Sequence, residues 1–121
     1  MTQRDPIVRL KLMRDYTQRA LNIARGRSAD EIQADELLVF AVPKVLELIG
    51  ESATRVPPEM RERHPGVDWR RIVGLRNILV HAYEIADFSI VADVVNHHLE
   101  SLLSALEQAI ESEETNTGES A

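Results

Sequence analysis

Residues 35–55 of this 121-residue chain read DELLVFAVPKVLELIGESATR, and this stretch decides the kind of fold that the chain can form. The run is strongly apolar and long enough for about five turns of helix, so it predicts the buried helix of a helical protein. Its apolar side chains are Leu37, Leu38, Phe40, Ala41, Val45, Leu48 and Ile49. Pro43 lies inside the run and has no backbone N–H, so we expect a kink or a restart of the helix there.

Helix signals also precede this run. Pro6 suits a first helical position, and apolar residues follow it at helical spacing until Gly26 offers a C-terminal stop. The sequence from Ser28 to Glu31 has the form of a capping box, in which a serine and a glutamate bond to each other's backbone N–H groups. The pattern therefore predicts a first helix and a separate short helical element before residue 35.

The second half of the chain is also helical in pattern. The sequence Val56-Pro57-Pro58 ends the buried helix, and residues 58–63 could form one short turn. Asp68 is a suitable N-cap for a helix from residue 69 to about 83, and Asp87 for a last helix to about residue 112. Without any alternating strand pattern, we predict an all-α, up-and-down bundle of four or five helices. Residues 1–112 would form this single domain, and the polar residues 113–121 a disordered acidic tail.

Composition excludes several classes of protein. The chain has no cysteine, which rules out disulfides and thiolate chemistry. No apolar run approaches the ~20 residues of a membrane span, and the first residues do not lead into a signal peptide, so we expect a cytoplasmic protein with no membrane partner. We find no convincing metal-ligand spacing and expect neither a metal nor another cofactor.

Charge is distributed unevenly along the chain. The net charge is −6, yet all 14 Lys and Arg residues lie at or before Arg76, and the nine charged residues beyond it are all acidic. Residues 1–30 carry a local charge of +4 and residues 55–76 one of +3. An anionic partner could therefore meet a basic half while the acidic half stays solvated, although solvated helix faces explain the charges equally well.

The sequence Arg76-Asn77-Ile78-Leu79-Val80-His81-Ala82-Tyr83 holds the candidate functional residues. Histidine can transfer protons near neutral pH, and arginine can stabilise charge that develops on phosphate oxygens. Together with the phenol of Tyr83, these groups could act on a phosphodiester without a metal ion. An ordinary surface arginine, an interior histidine and a helix-end tyrosine are the alternative interpretation.

Helical geometry separates the two main candidates. Arg76 and Tyr83 nearly align on a helix, but Arg76 and His81 are about 140° apart around the axis and ~7.5 Å apart along it. Either the helix unwinds after Val80, or a two-fold dimer brings two copies of the motif into one cleft. Gly74 would let another backbone approach nearby.

The same residues carry a family resemblance. The octapeptide RNILVHAY, preceded by Trp69 and by GL at residues 74–75, resembles the Arg-x-x-x-x-His-x-Tyr signature of HepT-like toxins of the HEPN superfamily. The segment LIGESA at residues 48–53 is similar to a second segment of that family, and the resemblance covers roughly residues 5–110. Pro43 and Ala92 depart from the pattern that we expect of the family.

The resemblance implies a function. It implies a dimer or higher even oligomer in which Arg76 and His81 form a metal-independent ribonuclease site, with Asn77 as a supporting polar residue. It also implies a type VII-like toxin–antitoxin system, in which a minimal nucleotidyltransferase transfers AMP to Tyr83 and silences the RNase. RNA would be the substrate.

Two other classes of function remain open from the sequence. The chain could be a non-catalytic helical dimer that binds a nucleotidyltransferase or a nucleotide, with the motif as its docking surface. It could also be a purely structural bundle. We further expect Glu51, the most polar residue of an apolar helix, to be a buried partner of Arg71 or Arg76.

Overall fold

The computed structural model describes residues 5–120, with only the backbone described for 117–120. In this range the chain is helical and forms no strand, which confirms the predicted all-α class. Eight helical segments follow one another within the described residues, joined by short turns. They are α1 (Pro6–Ala24), α2 (Ala29–Ala34), α3 (Leu38–Thr54), α4 (Pro58–Arg63), α5 (Trp69–Val73), α6 (Leu75–Ile85), α7 (Ser89–His97) and α8 (Leu99–Ser120).

Local sequence signals set the first helix boundaries. The carboxylate of Asp5 accepts a hydrogen bond from the backbone N–H of Ile7 and caps α1, and Gly26 follows that helix with a φ of +81°. Ser28 and Glu31 form the predicted capping box at the start of α2. Each cap satisfies N–H groups that a helix start leaves without a partner inside the helix.

Helix α3 forms the centre of the bundle. It packs most extensively against α1 and also contacts α2, α5 and α6, while α8 packs against α1. Val42, Leu46 and Ile49 of α3 are fully buried in the single hydrophobic cluster that the helices share. At Gly50, an added Cβ would lie 3.1 Å from the carbonyl oxygen of Ile72, so the glycine allows α5 to approach α3 closely.

Pro43 does not restart α3. The helix is continuous from Leu38 to Thr54, and Pro43 is buried within its second turn. Only one intrahelical hydrogen bond is lost there, the one that residue 43 would donate to the carbonyl of Val39. The start of the helix is capped separately by Asp35, whose carboxylate accepts from the N–H groups of Leu37 and Leu38.

The predicted helix over residues 69–83 is divided at Gly74. The N–H of Gly74 bonds to Arg70 and ends α5, while its carbonyl accepts from Asn77 and Ile78 and begins α6. The predicted last helix is likewise divided at His98, which separates α7 from α8. The number of helices therefore exceeds our expectation, because two long patterns each contain a break.

The prediction of a disordered tail from residue 113 is wrong over the described residues. Helix α8 continues to Ser120, and Glu113 is buried. Its two carboxylate oxygens each accept a hydrogen bond from the guanidinium of Arg63 at 3.0 Å, and one of them also contacts His64 Nε2. These partners, which are distant in the sequence, hold the helix against the end of α4. Ala121 lies outside the described residues.

Candidate functional site

Helix α6 carries all four candidate residues. Arg76, Asn77, His81 and Tyr83 are exposed, while Leu75, Leu79 and Ala82 face the core. The helix ends at Ala86, whose φ of +52° is left-handed, with the N–H of Asp87 bonded to the carbonyl of Ala82. This is the hydrogen bond of a Schellman ending. The motif thus lies on the outer face of a well-terminated helix.

One of the two routes that would unite Arg76 and His81 is absent from this structure. Because α6 is continuous past Val80 to Ile85, it does not unwind between the two residues. They therefore lie on opposite flanks of its exposed face, with Asn77 and Val80 between them. Within one copy of the chain, no local distortion brings the two side chains together.

Tyr83 is held against α3. Its hydroxyl donates a hydrogen bond to the backbone carbonyl of Val39, with 3.3 Å between the oxygens, and its ring makes an edge contact with Phe88 at 5.7 Å between centroids. Burial of the phenol raises its pKa above the ordinary value, and the negative charge of Glu47 raises it further. Half of the residue's surface remains exposed. Near neutral pH the phenol is therefore protonated, in a residue that is half exposed to solvent.

His81 has an acidic neighbour across the end of α6. The carboxylate of Asp87 accepts from both the hydroxyl and the backbone N–H of Ser89, which lowers its pKa, and an electrostatic contribution from His81 lowers it slightly further. The prediction of Asp87 as the N-cap is wrong by one residue, because α7 begins at Ser89 and its N-cap is Phe88; Asp87 precedes the cap and accepts from the N–H of Ser89. It therefore remains ionised at neutral pH, within electrostatic reach of the candidate acid/base.

A groove of about 340 Å³ lies beside the motif, between α3 and α6. Arg76 and Tyr83 line it from α6, together with the apolar side chains of Leu79 and Val80. From α3 it is lined by Phe40, Pro43, Lys44 and Glu47. The groove thus combines an aromatic ring and a cation on each side with an apolar floor, and it is continuous with the candidate catalytic arginine.

The residues from α3 were not among our predicted site residues. We expected Phe40 to be buried, but it is 71% exposed, as is its neighbour Leu37 at 79%. The i, i+4 and i+7 spacing of Phe40, Lys44 and Glu47 puts them on one face of a helix, which is a usable signal. Glu51 is exposed as well, so its predicted role as a buried partner of Arg71 or Arg76 is wrong.

Arg71 instead contacts a histidine near the start of α8. Its Nη1 lies 3.0 Å from His98 Nδ1, and His98 Nε2 lies 3.2 Å from the carboxylate of Asp93. Because a guanidinium only donates, Nδ1 accepts and the ring hydrogen is on Nε2. These side chains line a second cavity, of about 310 Å³, between α5, α6, α7 and α8. Our predicted catalytic residues do not line it.

Two general properties complete the description of residues 5–120. Among residues 5–116, whose side chains the structure describes, no three His, Cys, Asp or Glu side chains are grouped so that they could hold a metal ion. None of the described helices combines the length and the apolar character that crossing a membrane requires.

Comparison with known proteins gives the family. The family described as "Ribonuclease HepT-like" matches residues 13–109, which includes the whole motif. "Putative RNase MJ1216" of Methanocaldococcus jannaschii is 25% identical over 110 residues, 91% of either chain. "Probable ribonuclease HepT" of Thermococcus cleftensis is 30% identical over 79 residues, 65% of this chain and 72% of that one. No solved structure matches. The chain therefore belongs to the HepT-like ribonuclease family.

Proposed function

We propose that the protein is a metal-independent endoribonuclease in which His81 and Arg76 act on one phosphodiester. The observation that carries the proposal is the exposure of both side chains on α6, in a chain of a ribonuclease family. His81 accepts the proton of an RNA 2′-hydroxyl as the 2′-oxygen attacks the neighbouring phosphorus, and Arg76 stabilises the charge on the phosphorane oxygens. The bond from phosphorus to the 5′-oxygen breaks, and that oxygen takes up a proton. A 2′,3′-cyclic phosphate is the product.

The active unit in this proposal is a two-fold dimer that contains α6 in its interface. The separation of Arg76 and His81 across the exposed face supports it, since a second copy supplies groups that one helix cannot bring together. Val80 and Ile85 on the same helix are large apolar side chains and are 51% exposed, which is unfavourable unless they are covered. A second, different interface between such dimers would give a higher even oligomer.

We propose that transfer of AMP from ATP to the oxygen of Tyr83 controls the nuclease; the bond between the α- and β-phosphates breaks, pyrophosphate leaves, and the phenol proton goes to a base. The accessible phenol and the position of Arg76 in the same groove support this, because a phosphate on the tyrosine oxygen can pair with the arginine. Because the phenol of Tyr83 is protonated near neutral pH, we infer that the partner nucleotidyltransferase supplies the base that deprotonates it. The protein would then be the toxin of a type VII-like toxin–antitoxin pair, with that enzyme as the antitoxin.

Cleavage assays test the nuclease directly. Arg76→Ala and His81→Ala should each lower the cleavage rate by ~10²–10⁴-fold while the circular dichroism and the oligomeric state stay unchanged. DNA of the same sequence should be inert because it lacks the 2′-hydroxyl, and a chelator should have no effect. Equal cleavage by wild type and both variants would refute the assignment, and loss of activity with chelator would indicate a metal mechanism.

The non-catalytic alternative is separated by the same variants. A docking module would show no RNA cleavage in the wild type, yet Arg76→Ala would still weaken binding of the nucleotidyltransferase. Intact-mass spectrometry after incubation with that enzyme, ATP and Mg²⁺ tests the control mechanism. Tyr83→Phe should cleave RNA normally, gain no nucleotidyl mass and escape silencing.

A further inference from the structure

The groove between α3 and α6 has a chemical composition suited to one nucleotide. We propose that it is an RNA subsite next to the cleaved bond, in which the ring of Phe40 stacks on a base while Lys44 and Arg76 contact the adjoining phosphates. The inference rests on the proposed ribonuclease function and adds two residues, Phe40 and Lys44, to the motif.

The distribution of aromatic side chains is the first argument. The chain has five aromatic residues, all within the described residues. Phe88 is buried, and Tyr16 and Trp69 are partly buried in the core. The two exposed rings, Phe40 and Tyr83, both line this groove. Stacking on an aromatic ring is the usual way in which proteins hold unpaired bases, and it covers apolar surface that is otherwise in water.

The charges of the groove are the second argument. Lys44 and Arg76 provide a cation from each helix, and Glu47 is the one acidic side chain among the lining residues. Lys44 Nζ lies 3.8 Å from the Glu47 carboxylate, with both side chains largely in solvent. Such exposed pairs are weak, so a phosphate can take over the lysine. Because Arg76 is also the proposed catalytic arginine, a nucleotide in the groove is next to the cleaved bond.

The groove combines an exposed aromatic ring with two cations, and proteins bind single-stranded RNA with this combination. A subunit interface alone would explain an exposed Phe40, but it would give no binding role to the cations of Lys44 and Arg76, which line the same groove. An adenylyl group on Tyr83 would offer a base and a phosphate to the same ring and cations. It would therefore occupy the groove and exclude RNA, which would explain the silencing. RNA is favoured because the arginine in the groove is the one that the nuclease reaction needs.

A binding cycle with abasic RNA tests the proposal. The proteins carry His81→Ala, which prevents cleavage, and fluorescence anisotropy gives the Kd for a short single-stranded RNA with one abasic site moved along it. Phe40→Leu, which keeps an apolar side chain but removes the ring, should weaken binding of the intact RNA about tenfold. Phe40→Tyr should bind as the parent does. At one position, the abasic site should weaken RNA binding by the parent about tenfold, but it should not weaken binding by Phe40→Leu any further.

Two further variants and three possible outcomes show whether the groove acts as an RNA subsite. Leu37→Ala removes an equally exposed apolar side chain that does not line the groove, and it should not change the Kd. Lys44→Gln should reduce the slope of log Kd against log salt by about 0.7, the value for one phosphate of a single strand. If the effects of Phe40→Leu and of the abasic site on the binding free energy add at every position, the proposal is overturned. The proposal would also be overturned if Phe40→Leu converted the dimer to a monomer. It would likewise be overturned if Phe40→Leu, with His81 intact, bound RNA normally but resisted silencing.

The binding experiment with abasic RNA can be interpreted independently of the nuclease assay. If the wild type does not cleave RNA, the proposed function fails, whereas the abasic cycle still decides whether the groove binds a base. If the wild type cleaves and the cycle is additive, the nuclease remains and only the subsite is refuted.

Discussion

The hydroxyl of Tyr83 bonds to the carbonyl of Val39, which is the carbonyl that loses its helical partner because residue 43 is a proline. In an α-helix the N–H of residue 43 would donate to residue 39, and proline has no N–H. A tyrosine from α6 therefore supplies a donor to α3. The proline departs from the sequence pattern that we expect of the family, and the structure connects it to the residue that we propose is modified.

A double-mutant cycle tests this relationship. Tyr83→Phe should lower the free energy of unfolding by up to about 1 kcal/mol, because it removes a hydrogen bond to a partly exposed carbonyl. In a Pro43→Ala background the same change should cost less, because an alanine at this position can donate its N–H to the carbonyl of Val39. Chemical denaturation of the four proteins measures the coupling. Strictly additive effects would show that the proline and the tyrosine are independent.

The pKa of Tyr83 should respond to Glu47. Burial raises this pKa first, and the negative charge of Glu47 raises it further because it disfavours a phenolate. Glu47→Gln removes that charge and should lower the pKa of Tyr83. Ultraviolet difference titration of the variant against wild type measures it, with Tyr83→Phe identifying the signal of this tyrosine. A pKa that rises in Glu47→Gln would contradict the electrostatic explanation.

Charge on the exposed face of α6 should break the proposed dimer. Val80→Glu puts a carboxylate between Arg76 and His81, where two copies would have to bury it, so we expect a monomer by sedimentation and loss of RNA cleavage. Ser104→Glu adds the same charge to an exposed position of α8 and should leave both properties unchanged. A Val80→Glu protein that still dimerises would place the interface elsewhere.

The contact between Glu113 and Arg63 should stabilise the end of α8. Glu113→Gln removes the charge that accepts both guanidinium hydrogen bonds and should cost about 1–2 kcal/mol of unfolding free energy. Glu114→Gln is the matched control, because its ion pair with Lys11 is exposed and should contribute little. Thermal and chemical denaturation of the two variants give the comparison. Equal effects would mean that burial of Glu113 does not matter.

The same contact predicts a pH dependence. The hydrogen bonds from Arg63 hold the pKa of Glu113 below its ordinary value, and His64 adds a smaller lowering. A lowered folded-state pKa stabilises the fold above the unfolded value of ~4.3, and this stabilisation is lost as the pH falls through the folded value. Wild type should therefore lose more stability than Glu113→Gln as the pH falls from about 5 toward the folded pKa. Parallel curves for the two proteins would contradict this.

The sequence by itself determined the helical class, the start of α1 at Pro6, the capping box at Ser28, and the placement of the motif on one helix. These features depend on side chains within a few residues of each other, where local hydrogen bonding and helical spacing decide the outcome. The expectation that Arg76 and His81 lie on different sides of that helix is of the same kind, and the regular α6 confirms it.

Only the tertiary structure decided which apolar and charged residues lie inside. Phe40 lies in an apolar run, yet it is exposed because α3 presents its first turns at the edge of the bundle beside α6. Glu113 lies in an acidic segment, yet it is buried because Arg63 and His64 reach it from about fifty residues earlier. The helical periodicity and the composition of the sequence do not show which residues become neighbours in the fold. Burial depends on which elements pack together and not on the residues beside each position in the chain.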